Sequence, residues 1–170
     1  MKKYFTPRML TCGAALVAIN VILTKFLSIT LTFVRIGFNF LPNSLGSMIF
    51  GPVTGGLLAV IADILGVVIV GEPFFWGYSV SALLYGLTYG LFLYKREKSY
   101  KNIAFCILLQ TVFIDALLGA FWANLFFGKP YFIALLGRCA DAVPMAFVKV
   151  YMIKHLWKYT EKALTNLIKG

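Results

Sequence analysis

Polar residues along this chain are confined to short clusters that separate six long apolar runs. The first run extends from about Pro7 to Phe26, and the second from Phe38 to Phe50, where Gly51-Pro52 stops it. The third covers Val53 to Val70 and the fourth Trp76 to Tyr94. The fifth runs from Ile103 to Phe127, closed by Gly128-Lys129-Pro130, and the sixth starts at Tyr131 and continues into a basic tail. A helix needs about 20 apolar residues to cross the hydrocarbon core of a bilayer. Five runs reach that length easily, while the shorter second one borders a cavity or tilts against its neighbours. Alternating strands of about 10 residues, the mark of a membrane barrel, do not occur. Neither an internal repeat nor a linker divides the chain. The pattern predicts an all-α membrane protein, a single six-helix domain over residues 1–170 with six transmembrane helices.

Composition agrees. Sixty-one per cent of the residues are hydrophobic and 13% are charged, about half the charged share of an ordinary soluble domain. With a mean hydropathy of +0.86, the apolar surface exceeds what one aqueous core could hide, so the lipid bilayer is part of the solvent. Orientation follows from the basic residues. With the N-terminus in the cytoplasm, Lys2, Lys3, Arg8, Lys95, Arg96, Lys98, Lys101, Lys149, Lys154, Lys158, Lys162 and Lys169 lie inside. Only Lys25, Arg35, Lys129 and Arg138 fall outside. Both termini are therefore expected in the cytoplasm. The formal charge of +10 reflects topology and anionic lipid, and no nucleic acid is expected as a partner.

Motifs for chemistry are missing. The chain has no G-x-x-x-x-G-K-[ST], so it does not hydrolyse ATP through a P-loop, and it has neither G-x-S-x-G nor H-E-x-x-H. Cys12, Cys106 and Cys139 lie inside apolar runs without a C-x-x-C pair and read as packing thiols. The single His155 falls in the basic end, where it is expected to be solvated. No catalytic residue, metal site or cofactor is indicated. The opening MKKYFTPRMLTCGAALVAIN resembles a signal peptide, but its apolar run continues to Phe26 without a good small-residue cleavage site.

What remains is a set of polar groups at membrane depth. Asp63, Asp115 and Asp141 fall near the middle of the third, fifth and sixth runs, with Arg138 one turn from Asp141. A charge at the centre of a membrane helix costs about 2.5–3.5 kcal/mol on insertion scales, so each is expected to face protein and find a partner. The connection GEPFFWGYSVSA places Phe74, Trp76 and Tyr78 among Gly71, Pro73 and Gly77. An interfacial aromatic belt would supply the rings, but glycines threaded between them also let a backbone approach a ligand. With Arg35, Asn39, Gln110, Trp122 and Arg138, these groups suit a flat, polar-edged, anionic small molecule. Asn43 reads as a contact to a neighbouring helix. Ala14 and Ala18, one turn apart in the first run, would let a second membrane helix pack closely.

RIGFNFLPNSLGSMIFGPVTGGLLAVIADILG followed by PFFWGYSVSALLYGLTYGLFLYK resembles the substrate-binding (S) components of energy-coupling factor (ECF) transporters, most closely the folate-specific branch. The resemblance rests on Arg35-Ile36-Gly37-Phe38, Leu41-Pro42, Phe50-Gly51-Pro52, Asp63, the aromatic-glycine loop into Ser81-Ala82, and Arg138 with Pro144. The chain departs from the branch in carrying Trp76-Gly77-Tyr78-Ser79 in place of Pro-Gly-Phe-Thr. The resemblance implies a multi-pass protein of the bacterial cell membrane that binds its vitamin in a pocket near the extracellular face. It implies energisation by a membrane-embedded coupling subunit (EcfT) and two cytoplasmic ATPases, with Ala14 and Ala18 docking the coupling subunit. Folate is the implied substrate: its pterin would stack on Trp76, Tyr78 or Trp122, with Asn39, Gln110 or Arg138 at the ring edge and Arg35 for an anionic group. Riboflavin, thiamin or a queuosine precursor is the alternative substrate. A membrane-embedded enzyme using the aspartates and a purely structural subunit are alternative roles.

Overall fold

The computed structural model describes residues 7–26, 29–30, 35–128 and 130–169. Side chains at 8, 29, 30, 35, 36, 127, 140, 141, 143 and 162–169 lie outside that description. The described chain is helical apart from one antiparallel ladder of two residues per strand. In order come α1 (Pro7–Lys25), β1 (Ile29–Thr30), β2 (Arg35–Ile36), α2 (Phe40–Phe50), α3 (Pro52–Val70) and α4 (Trp76–Leu93). These are followed by α5 (Tyr100–Leu109), a π-helical stretch Gln110–Leu118, α6 (Gly119–Phe127) and α7 (Tyr131–Lys169). In the ladder Ile29 pairs with Ile36 and Thr30 with Arg35. The helix ends fall within about three residues of those read from the apolar runs. Two compact units result, Met1–Tyr94 and Lys95–Gly170.

The first unit is built inside out by aqueous standards. Along α3, Val53, Leu57, Ile61, Leu65 and Val68 are exposed, while Gly55, Gly56, Ala59, Ala62 and Gly66 on the other face are buried. In water each exposed aliphatic side chain would forgo about 1.5–3 kcal/mol of burial, a loss that hydrocarbon surroundings remove. Small residues inside let backbones touch. A Cβ at Gly86 of α4 would lie 2.5 Å from the Gly56 Cα, and one at Gly90 would overlap Pro52. A Cβ at Gly55 would run into Ser47 of α2. Thus α2, α3 and α4 meet almost backbone to backbone, gaining dispersion contact where no hydrophobic force pulls membrane helices together.

Sequence-specific punctuation makes this possible. Gly51, at φ 90°, is the whole connection between α2 and α3, and Pro52 occupies the first turn of α3, where its missing N–H costs nothing. Pro42 likewise sits in the first turn of α2. On α1, Gly13, Val17, Asn20 and Val21 are buried, and Val17, Val21 and Ala62 form a small apolar core with Leu58. Asn20 Nδ2 donates to Asn43 Oδ1 at 2.5 Å, so Asn43 does bond to a neighbouring helix.

In the second unit α5, the π-helical stretch and α6 run on without interruption, and residues Tyr100–Phe126 form a helix long and apolar enough to cross a membrane. Pro52–Val70 is another. In α7 the parts Tyr131–Cys139 and Pro144–Glu161 are bent by 48° and together would form a third span. Pro144 removes a backbone donor inside the helix, which accounts for a bend there.

The α3–α4 crossing yields a prediction. Gly86→Leu should lower stability by about 1–3 kcal/mol or more, the usual cost of overpacking. Gly137→Leu should be close to neutral, because nothing lies within 4 Å of a Cβ at Gly137. Thermal unfolding of the two variants in detergent checks the contrast; equal midpoints would remove the crossing as a stability determinant.

Candidate substrate-binding site

The residues expected to bind a ligand fall into two sets, one in each unit. In the first unit, Asn39 is the N-cap residue of α2 and half-buried, and its side chain makes no capping hydrogen bond to the helix. Arg35 lies in β2, and its side chain lies outside the described residues. Phe74 and Trp76 are each 56% exposed, Tyr78 is half-buried and Gly77 is buried. Phe75 gathers two of these rings: its centroid is 5.8 Å from that of Trp76 and 5.4 Å from that of Tyr78, edge-on to the latter.

Two polar contacts hold the segment that carries these rings. At its start Glu72 forms a salt bridge with Lys25 at the end of α1. Just past its other end the Ser79 hydroxyl donates to Asp63 Oδ2 on α3 at 2.7 Å. Asp63 therefore has the hydrogen-bond partner that its depth in α3 demands. Between the two anchors, Gly71 caps α3 in the left-handed region at φ 72°, a conformation glycine adopts without steric penalty. Phe75 then opens α4 from an extended conformation. A row of rings is thus displayed on a short loop whose ends are tied to two other helices.

In the second unit the candidate groups cluster about the π-helical stretch. Gln110, its first residue, is 1% exposed, and Trp122 in α6 is 5% exposed with its ring edge-on to Phe121 at 5.1 Å. Arg138 on α7 reaches back across the unit, and its Nη1 donates to the Asp115 carbonyl oxygen at 3.4 Å. The guanidinium lies against Gly119; a Cβ there would be 2.9 Å from Cζ and 3.3 Å from Nε. The glycine is what leaves room for a planar cation beside the helix. The expected pairing of Arg138 with Asp141 lies outside the described residues, since the Asp141 side chain is not among them.

Asp115 does find a partner, and it comes from an unexpected place. Lys149 Nζ lies 3.1 Å from Asp115 Oδ2, with side-chain exposures of 14% and 24%. The charge pattern marks Lys149 only as one of the basic residues expected on the cytoplasmic side. In the structure α7 continues past Pro144, so Lys149 lies well inside a helix that packs on the π-helical stretch. A carboxylate near the middle of Tyr100–Phe126 is thereby neutralised from the neighbouring helix.

Among the described residues, Cys106 is a buried free thiol, as a packing role requires, while Cys12 is half-buried and Cys139 is exposed. His155 is exposed, as expected, and stacks on Tyr151 with centroids 5.8 Å apart and 10° between planes. Ala14 and Ala18 are exposed on α1, on the face adjacent to the one that buries Gly13, Val17 and Val21.

The family model for the substrate-specific component of ECF transporters matches residues 8–159. The chain belongs to this family. As an S component it is 27% identical over 150 residues to the folate transporter FolT of Clostridium novyi (strain NT), covering 88% of this chain and 87% of that protein. It is also 27% identical over 111 residues to FolT of Leuconostoc mesenteroides subsp. mesenteroides, covering 64% of this chain and 60% of that one. Among solved structures, the crystal structure of a FolT bound with folic acid superposes with a TM-score of 0.82 at 31% identity, covering 86% of this chain and 90% of that one.

In this S component's second unit, the sequence marks neither the role of Gly119 beside Arg138 nor the partnership of Lys149 with Asp115. Lys149 follows Asp115 by 34 positions, and no local pattern joins them. The usable signal was weaker: a lone aspartate in one span calls for a lone cation in another, and Lys149 lies among apolar residues in AFVKVYMI.

Removing one member of a buried pair leaves the other charged and unpaired, which typically costs about 3–5 kcal/mol. Lys149→Met alone should therefore lower the thermal midpoint strongly. Adding Asp115→Asn should restore most of the loss, because both charges are then gone. A double-mutant cycle in detergent measures the coupling, and additive losses would show that the pair does not interact.

Proposed function

We propose that this S component captures folate outside the bacterial cell membrane and delivers it through a shared, ATP-driven coupling module. The observation that supports this most directly is the near full-length likeness, at 31% identity, to a FolT with folic acid bound. The candidate groups suit the ligand's chemistry. The first unit offers exposed rings at Phe74 and Trp76, with Tyr78, beside Gly77, to stack on a flat pterin, and Asn39 to bond its edge. The second unit offers Gln110, Trp122 and Arg138. Arg35 and Arg138 are the cations suited to a ring carbonyl or the glutamate carboxylates, through charge-assisted hydrogen bonds.

In this reading the chain is one membrane domain of six passes with both termini cytoplasmic, and folate binds near the extracellular face. The strong excess of Lys and Arg on one set of connections supports the orientation. The partners are the membrane-embedded coupling subunit and two cytoplasmic ATPases, which would supply the energy the chain has no P-loop to harvest. Ala14 and Ala18, exposed on α1, are the small-residue surface against which the coupling subunit would pack.

Two experiments test this reading. Calorimetry on the purified S component should show folate binding without ATP, with tryptophan fluorescence quenched as the pterin stacks. Arg35→Ala and Arg138→Ala should each weaken binding by about 1.5–3 kcal/mol, the scale of hydrogen bonds to charged groups. No heat with folates but binding of riboflavin or thiamin would reassign the substrate.

The second experiment separates capture from transport. Ala14→Trp with Ala18→Trp should leave folate affinity near wild type while abolishing uptake in cells that carry the coupling module. Unchanged uptake would remove α1 as the docking surface.

A further inference from the structure

The second unit carries an apolar groove that neither the ligand groups nor the α1 surface uses. It runs between α5 and α7 with a volume of about 370 Å³, and its walls include Tyr100, Ala104 and Leu108 on one side and Ala146, Phe147 and Tyr151 on the other. Ile107 in its lining is buried, and Tyr100, Phe147 and Tyr151 are 56%, 76% and 63% exposed. Tyr100–Phe126 is long and apolar enough to cross a membrane; as a span it would place its Tyr100 end at a membrane surface, with the groove descending from there into hydrocarbon.

The mouth of the groove is cationic. Lys154 Nζ lies 5.4 Å from the centroid of the Tyr100 ring and donates to the Lys98 carbonyl oxygen at 2.5 Å. An ammonium has three donors, so two remain for an anion. Lys101 is exposed one residue beyond Tyr100. Residues 95–101 and 154–161 hold six basic side chains against Glu97 and Glu161. Lys98 itself is engaged, its Nζ lying 4.3 Å over the Trp157 ring. Burial pulls the Lys98 ammonium below the ordinary lysine range, with Glu161 opposing. Tyr151 continues outward into the His155 and Tyr159 rings, 5.8 and 5.0 Å between successive centroids, an amphipathic ladder of the kind that marks the headgroup level.

We propose that this groove holds one acyl chain of an anionic phospholipid, with the headgroup phosphate at Lys154 and Lys101. The apolar walls suit a flexible chain, and the cations at one end fix which way the lipid lies. A partner helix would bury the groove equally well but would not need a cationic mouth at the headgroup level. The proposal rests on the membrane span alone, so it stands or falls separately from folate binding.

Native mass spectrometry of the full chain, released from detergent micelles doped with phosphatidylglycerol or phosphatidylcholine, tests it. The wild type should retain one phosphatidylglycerol and not phosphatidylcholine. Lys154→Gln and Lys101→Gln should each reduce retention about fivefold, the usual worth of one cation near an anionic lipid, and Lys154→Arg should keep it. Ala104→Trp or Ala146→Trp, which fill the groove, should abolish retention while folate affinity and thermal midpoint stay near wild type. Equal retention of both lipids would overturn the proposal, as would retention unaffected by groove filling or competed away by inorganic phosphate alone. Dimers in the wild-type spectra that Ala104→Trp removes would assign the groove to a second copy of the chain instead.

Discussion

The close approach of α3 and α4 is the constraint on which the first unit depends. Helices in hydrocarbon satisfy their own backbone hydrogen bonds and gain nothing by hiding aliphatic side chains from lipid, so association depends on packing contact. Here that contact is backbone on backbone, with Pro52 against Gly90 and Gly56 against Gly86. The same antiparallel register, carried two turns further, brings Asp63 opposite Ser79. Glycines near one end of the helix pair thus set the height at which a carboxylate and a hydroxyl meet near the other. That meeting point holds the first turn of α4, from which the aromatic loop is displayed. The helix contact and the display of the ring-bearing loop are one mechanical unit.

In three places within the two units a polar side chain is answered by a side chain on another helix. Asn20 meets Asn43, Asp63 meets Ser79, and Asp115 meets Lys149. The Arg138 guanidinium departs from this pattern, because its described contact is to a main-chain carbonyl at 3.4 Å.

The helices themselves were legible in the sequence, because apolar runs bounded by Gly51-Pro52, Gly71 and Gly128 leave few alternatives. Partnerships were legible only where chemistry narrowed the choice. That Asp63 and Asp115 would have partners follows from the cost of a charge in a span, but the identities of Ser79 and Lys149 depend on tertiary register. The π-helical stretch Gln110–Leu118 was not legible at all. No Gly or Pro in QTVFIDALL marks a wider turn, so a regular 3.6-residue period drawn through it misplaces the faces that follow. The loop rings were readable as a group because glycine and proline stand among them. The salt bridge between Lys25 and Glu72, which ties that loop to α1, joins residues far apart in sequence with no pattern to announce it.

The pairing of Lys149 with Asp115 also bears on how the chain is built into the bilayer. A segment carrying Arg138, Asp141, Pro144 and Lys149 is a poor substrate for independent insertion, since each central charge adds about 2.5–3.5 kcal/mol to its partitioning. The segment Tyr100–Phe126 precedes it in synthesis and carries the carboxylate that neutralises Lys149, along with the carbonyl that Arg138 reaches. On insertion, the last helix would therefore meet a counter-charge already carried by the segment made before it, which would give the building of the second unit a direction.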